Sequence, residues 1–495
     1  MCLIAFGWKK RADPNMRRLI NRSSHRIDAG MKAGAHWPCL LFSCALCLVV
    51  SLGCVSQRNV DGSASVSHTL QHRMRVAAPS RQLTRSHFLP NGVSFKDGLE
   101  EDEAVLIALW NNAAFQELLV ETKIAHADLI QAGMLPNPEF GYFFGVPGKA
   151  FRYAIEFPLE VLFTRPLRIR SAERETDRVS HRVTQGSLDL IRDVRQAFAD
   201  VTLAEGRLRI ADESVQLRSR LADLAQRRLE AGDISAQEAA TAKLDALQAR
   251  QDRIRAAHEV PVAEERLRFL LAIPRSRSSL LVIPTPLNFR DDLDVEHLTA
   301  TAVHCRPDVL AAEQGVVAAA ERAKLARYSW LRFAGILDAT SGQVTGHEFG
   351  PGFRVTVPIF NWNQGGIARA EAELDRAHRQ KRTITNQVIL EVRLAYQRYL
   401  QAVSELSYFE DHVQPENTAA MRRSELSFRE GDTSYVMVLE TSRRLLDGRI
   451  RAEQLNAEVR RTWSELERSV GCRLQDRPLQ PRDIRPARAR DGGRQ

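Results

Sequence analysis

The feature that most constrains this chain is a helix-breaking turn that it makes twice. "LEAGDISAQEA" runs from Leu229 to Ala239, and "FREGDTSYVMVLE" from Phe428 to Glu440. The two Gly-Asp pairs, Gly232-Asp233 and Gly431-Asp432, stand 199 residues apart. The agreement extends beyond the turn. "EFPLE" at Glu156 and "TVPIF" at Thr356 are offset by 200 residues. "EERLRFLLAIP" at Glu264 and "WSELERSVG" at Trp463 align at the turn's own offset, Leu267 with Leu466. Each half therefore reads in one order: alternating segment, Pro, long helix, Gly-Asp turn, second helix. A period this long means a duplicated domain, not a short-repeat solenoid.

The flanks of the turns carry helical periodicity. Leu188, Ile191, Val194, Phe198, Val201, Ala204 and Leu208 recur at spacings of three and four, which keeps one apolar stripe on one face. The spacing predicts a helix from Pro166 to Glu230, roughly 100 Å long at about 1.5 Å per residue. A matching helix is expected from Gln364 to Glu430, kinked or broken at Pro415. The partners, Ser235 to Ala272 and Ser434 to Gly471, return antiparallel. Gly supplies the left-handed C-cap at each reversal, and Ser235 or Ser434, or the preceding Asp, caps the next helix.

The other signal has period two. In "EFGYFFGV", Tyr142, Phe144 and Val146 share a face; in "AFRYAIEFPL", Phe151, Tyr153, Ile155 and Phe157 do. Pro147 and Gly148 mark the turn between them. In the second half, "SWLRFAGILDA" and "GFRVTVPIF" bracket an expected loop, Ser341 to Gly350. Segments of about nine residues suit tilted membrane strands. Four strands cannot close a barrel, and lipid does not tolerate open edges. Either several chains share one barrel, or these are ordinary soluble hairpins.

Charge excludes the obvious reading of a basic chain. The net charge is +9. Residues 1–53 hold eight Lys/Arg against two Asp/Glu, and Asp476 to Gln495 holds six Arg against three Asp. The stretch between is near neutral, with no basic stripe interleaved with aromatics, so nucleic acid is not indicated. Five of the seven Cys lie in the first 54 residues. Cys305 and Cys472, far apart in sequence, form no metal-ligand spacing and no disulfide framework; buried or incidental thiols are expected.

"MKAGAHWPCLLFSCALCLVVSLGC", from Met31, has a short basic start and an apolar run too short for a comfortable membrane span. It reads as a secretory signal peptide, with Met31 the expected true start. Gly53 before Cys54 resembles a lipoprotein signal, in which Cys54 becomes the lipidated first residue. Ser51 stands where that pattern usually has Leu. A transmembrane anchor and a plain cleaved signal are the alternatives. The domain plan is a signal region at 1–53, a polar tether at 54–95, repeats at 96–275 and 276–475, and a basic tail at 476–495.

Catalytic chemistry finds no footing. Gly365-Gly366 is an isolated pair at a helix start, not a phosphate loop. His304 and Cys305 are adjacent, so their side chains diverge on a helix. No metalloprotease spacing and no nucleophile motif occur. No enzyme and no cofactor are expected.

Three stretches carry a family resemblance, which covers about Gly98 to Gly471. "LEEDEAVLIALWNNAAFQELLVETKIAHADLIQAGMLPNPEF" resembles the opening helices of TolC-like outer-membrane efflux proteins, with their Pro-Asn-Pro lead-in to the first strand. "RPDVLAAEQGVVAAAERAKLA", from Arg306, is similar to the opening of the family's second repeat. "VTVPIFNWNQGGIARAEAELDRA" is similar to its strand-to-helix junction. The resemblance implies a mainly α homotrimer with a small β part. Each chain gives four strands to a shared twelve-stranded transmembrane β-barrel, and the long hairpins form a trimeric α-barrel across the periplasm. It implies an outer-membrane, lipid-anchored passive duct that serves an inner-membrane transporter through a periplasmic adaptor. The Pro-Asn-Pro opening leans towards members serving heavy-metal and drug exporters.

The resemblance also gives the repeated turn a role. Gly232, Asp233 and Ser235, with Gly431, Asp432 and Ser434, become the adaptor-docking helical tips; capped turns without a partner are the alternative. Glu440 matches the position of an acid that lines the closed pore in the family, so it is a candidate pore constriction. Met437 stands where members can carry a further acid, and a solvated helix-face Glu is the alternative. The rival from another class is a periplasmic coiled-coil lipoprotein acting as adaptor or tether.

Overall fold

A computed structural model describes residues 63–74, 98–145, 151–273, 280–284, 293–342 and 346–474. The signal region, Cys54, the Pro147-Gly148 turn and the basic tail lie outside the described residues. The first repeat begins after a helix α1 (Ser63–Met74). It comprises β1 (Leu99–Glu100), α2 (Glu101–Asn111), α3 (Ala113–Gly133), β2 (Glu139–Phe143), β3 (Arg152–Pro158), α4 (Glu160–Ala231) and α5 (Ala236–Leu271). The second repeat follows: β4 (Val282–Ile283), α6 (Val295–Cys305), α7 (Pro307–Tyr328), β5 (Phe333–Gly342), β6 (Gly346–Val355), α8 (Gln364–Tyr408), a π-helical turn (Phe409–Val413), α9 (Gln414–Glu430) and α10 (Tyr435–Val470).

The long helices form where the three-four periodicity predicts them. α4 is unbroken over 72 residues, about 108 Å of helix. It starts earlier than expected and carries Pro166 inside it. As the seventh residue, Pro166 lies past the four N–H groups that start without a partner, so it forgoes one helical bond, to the Leu162 carbonyl, without ending the helix. Pro261 stands inside α5 without ending it. Pro415 does perturb its helix, but by a five-residue π-turn immediately before it. The wider turn absorbs the ring that would otherwise press on the carbonyl four residues back.

The strands require a correction. The stretch Ser341 to Gly350 was expected to be a loop, and the last strand to run on to Phe360. Instead β5 and β6 pair from Phe333↔Val355 out to Gly342↔Gly346. Ladder pairing holds Ser341, Gly342 and 346–350 extended despite their turn-like composition; 343–345 lie outside the described residues. β6 ends at Val355; the Thr356 N–H still donates to the Arg332 carbonyl at 3.0 Å, and Pro358 has no N–H to carry the ladder on to Phe360. The four long strands form one antiparallel sheet in the order β2-β3-β5-β6. The β3–β5 pairing joins the two repeats. Among the described residues β2 and β6 are the sheet's free edges. β1 and β4, unforeseen from sequence, form a small parallel pair. Gly98 precedes it at φ +93, where an added Cβ would lie 2.6 Å from the Ile283 side chain.

Within the segment read as a tether, α1 is packed: Val66 and Leu70 are wholly buried in the core of the first repeat, with Phe115, Leu188 and Leu267. Its Arg73 guanidinium donates to the carbonyl of Cys305, and the Arg73 carbonyl accepts from the N–H of Arg473 at 3.1 Å. The second repeat has its own core around Val392, Tyr399, Trp463 and Leu466. A third cluster, near the turns, draws from both hairpins: Leu221, Ala225 and Ala242 with Phe428, Tyr435 and Val438.

Candidate functional site

The two Gly-Asp turns are built alike. Gly232 (φ 83) and Gly431 (φ 88) end α4 and α9 in the left-handed region, which a Cβ would disfavour. The Asp233 N–H bonds the Arg228 carbonyl at 2.8 Å, and the Asp432 N–H bonds the Ser427 carbonyl at 2.9 Å. The Gly N–H groups bond the Leu229 and Phe428 carbonyls. These are paired Schellman closures. Gly232, Asp233, Ser235, Gly431, Asp432 and Ser434 are all exposed.

The caps that follow differ. The Ser235 hydroxyl accepts from the Glu238 N–H at 3.2 Å. Ser434 has nearly the same backbone conformation but no side-chain cap bond. The repeat puts Met437 where the first turn has Glu238, so the reciprocal carboxylate of a capping box is missing.

The turns are held together from the side. The Arg228 guanidinium lies 5.0 Å from the Phe428 ring centroid and its Nη1 donates to the Phe428 carbonyl at 3.1 Å. The buried Tyr435 hydroxyl donates to Asp245 at 3.3 Å, whose other oxygen accepts from Arg443 at 3.3 Å. Burial first, then the Asp245 carboxylate, pushes the Tyr435 phenol well above its usual range, so it stays a donor. Sequence reasoning missed this set. Its one signal was Tyr435 itself, a large aromatic at the helix start where the first repeat has Ala236. Glu440 stands on the exposed side of α10 and pairs with Arg444 one turn on, at 3.0 Å.

A second feature unread in the sequence is a set of ion pairs within and between the repeats, centred on the buried Arg195 and Arg306. Arg195, on α4, is enclosed by Glu467, Glu101 and Asp102. These carboxylates keep it charged against its burial. Arg306 meets Glu391 at 2.6 Å and Asp308 at 3.0 Å. Arg468 meets Asp189 at 2.6 Å and shares Glu391. Cys305 and Cys472 are free and buried, and burial pushes the Cys472 thiol up to about 12.

The sheet has two unlike faces. The register puts Phe140, Tyr142, Tyr153, Ile155, Phe157, Leu337, Phe349, Phe353 and Val355 on one face. Several are widely exposed, Phe353 at 81% and Phe349 at 72%. The other face carries cross-strand ion pairs, Arg152 with Asp338 at 2.7 Å and Arg354 with Glu156 at 2.6 Å. All four strand ends that lead to helices lie at one end of the sheet. Among the described residues no helix is long and apolar enough to cross a membrane.

An amphipathic antiparallel sheet with two long helical hairpins leaving one end is the architecture of this chain. The sequence profile of the family described as "Outer membrane efflux protein" matches residues 149–272 and 298–472. The chain belongs to the outer membrane efflux protein family, and its place is the outer membrane. It is 24% identical over 384 residues to the cobalt-zinc-cadmium resistance protein CzcC of Cupriavidus metallidurans, covering 75% of this chain and 89% of that protein. Among solved structures, CusC superposes with a TM-score of 0.64 at 15% identity, covering 80% of this chain and 98% of that one. VceC of Vibrio cholerae gives 0.63 at 14% identity, covering 75% and 96%.

Proposed function

We propose that this chain is the outer-membrane duct of a tripartite efflux system, a homotrimer in which each copy gives four strands to a twelve-stranded barrel. The observation that carries this reading is the sheet. Among the described residues it has an apolar face with large exposed side chains and two unpaired edges, β2 and β6. Lipid satisfies the face and further copies satisfy the edges. The helices repeat the pattern. Leu244, Leu247, Ile254, Val262 and Phe269 are exposed along α5, as are Leu390 and Leu394 on α8. Apolar stripes of this kind suit packing against neighbouring copies.

In this reading the duct catalyses nothing; the pump supplies the energy and an adaptor docks at the exposed Gly-Asp turns. Lipidation of Cys54 anchors the N-terminus, and Glu440 contributes to a charged constriction. The cargo is divalent transition-metal cations, by the likeness to CzcC. The test is metal tolerance. A strain lacking the gene should lose resistance to cobalt, zinc and cadmium and regain it with the wild-type chain. Unchanged tolerance with lost resistance to organic toxicants would reassign the cargo.

A further inference from the structure

The helix-bearing end of the sheet carries two bands. The first is aromatic and apolar: Phe163, Val357, Ile359, Phe360 and Trp362 are all exposed, Phe360 at 92%. Trp330 packs on Trp362 with centroids 5.3 Å apart, and Phe163 on Phe333 at 5.7 Å. The second band, within about three helical turns on the helix side, is cationic. Arg165 donates to the Gly133 carbonyl at 2.8 Å and Arg168 to the Met134 carbonyl at 3.0 Å. Both are thus fixed by neutral acceptors, not by carboxylates. Arg170 is exposed and follows Phe163 by seven residues, so the two share a side of α4 about 10 Å apart. Arg332, also exposed, lies between Trp330 and β5. Neither Arg170 nor Arg332 has a side-chain partner among the described residues. The acids at this level are Glu160, half-buried, Glu371, taken up by Arg327 at 2.9 Å, and the exposed Glu139 and Glu173, neither of which pairs with Arg170 or Arg332 among the described residues.

An aromatic band followed at once by unpaired arginines matches a bilayer boundary. Ring systems sit at the headgroup level, and guanidinium groups reach the phosphates just outside it. Arg offers a planar fork of donors that suits a phosphodiester. We propose that this collar binds the headgroups of anionic glycerophospholipids in the leaflet facing the helices, with Arg170 and Arg332 as its principal contacts. The inference rests on the membrane-spanning reading of the sheet. It adds a lipid preference that barrel insertion alone does not require.

The test uses the full-length protein reconstituted in vesicles of equal parts phosphatidylcholine and phosphatidylglycerol, then released for native mass spectrometry. Wild type should retain phosphatidylglycerol over phosphatidylcholine by about fivefold or more, the scale of one basic residue at a charged surface. The preference should fall towards unity in Arg170→Glu/Arg332→Glu and persist in Arg170→Lys/Arg332→Lys. Conductance in pure phosphatidylcholine should be the same for all three. Equal retention of the two lipids by wild type, or a preference that survives charge reversal, overturns the collar while leaving the duct intact. A protein that inserts in neither bilayer overturns both.

Discussion

The guanidinium of Arg228, one turn before the first Gly-Asp reversal, lies over the ring of Phe428, one turn before the second. It donates to that residue's carbonyl across 200 positions of chain. The repeats thus meet where each reverses direction, and the meeting is asymmetric: at the repeat offset, Arg228 corresponds to Ser427 and Phe428 to Leu229. A duplicated turn has become two different halves of one contact.

Asp245 is the centre of the neighbouring contact, because it serves Tyr435 and Arg443 together. Asp245→Ala leaves a buried phenol and a cation without their acceptor. The expected cost is about 2 kcal/mol, localised to the turns. Hydrogen exchange of α9 and the first turns of α10 should rise, while the sheet and the Arg195 ion pairs stay protected. Uniform loosening of the whole chain would argue against a local tie.

The two caps give an internally controlled comparison. Ser235→Ala removes a cap bond and should cost about 1 kcal/mol. Ser434→Ala removes none and should fall within a few tenths of that scale's zero. Thermal unfolding of the two variants side by side reads the difference; equal losses would contradict it.

Gly431→Ala and Gly232→Ala should each cost about 1 kcal/mol from left-handed strain alone. No atom lies near an added Cβ at Gly232, and the nearest at Gly431 is the Arg228 side-chain tip at 3.8 Å. An Asn at either position should recover part of the loss, since Asn tolerates that conformation; chemical denaturation measures both.

His181 gives the chain a pH dependence. Burial first, then Arg73, lowers it from 6.5 to about 4. In the unfolded chain it gains a proton below about pH 6.5; folded, it does not until about pH 4. Stability from this group is therefore present above about pH 6.5 and lost as pH falls towards 4, by on the order of 2–3 kcal/mol. His181→Gln should flatten that part of the stability profile. An unchanged slope would place the titration elsewhere.

On the sheet, Phe353→Arg puts a charge on the apolar face and should cost about 2–4 kcal/mol per copy in a bilayer. Membrane-inserted protein should fall sharply. Exchanging Arg152 and Asp338 keeps their ion pair on the opposite face and should be tolerated. Heat-modifiable mobility of membrane fractions distinguishes the two; equal tolerance would mean that the apolar face meets no lipid.

Much of this architecture was legible because periodicity is a direct imprint of burial. The three-four spacing from Leu188 to Leu208 placed α4, and glycine's freedom at positive φ marked both reversals. The illegible parts depended on what meets what. Arg195 and Glu467 are 272 residues apart, and nothing in local composition distinguishes them from solvated charges. Val66 and Leu70 gave too short a pattern to reveal α1. The stretch Ser341 to Gly350 carried turn-forming residues, yet cross-strand pairing holds its two described ends, Ser341-Gly342 and 346–350, extended. Glu440 and Met437 were compared with a family pattern, and within one chain Glu440 meets only Arg444 among the described residues.

The central claim is that this chain makes a membrane duct by closing its sheet with other copies. The most direct test is single-channel conductance of the purified full-length protein in planar bilayers, with its mass measured in the same detergent. The account predicts a heat-sensitive trimer that gives discrete conductance steps. An elongated protein that stays soluble without detergent and never inserts would contradict it.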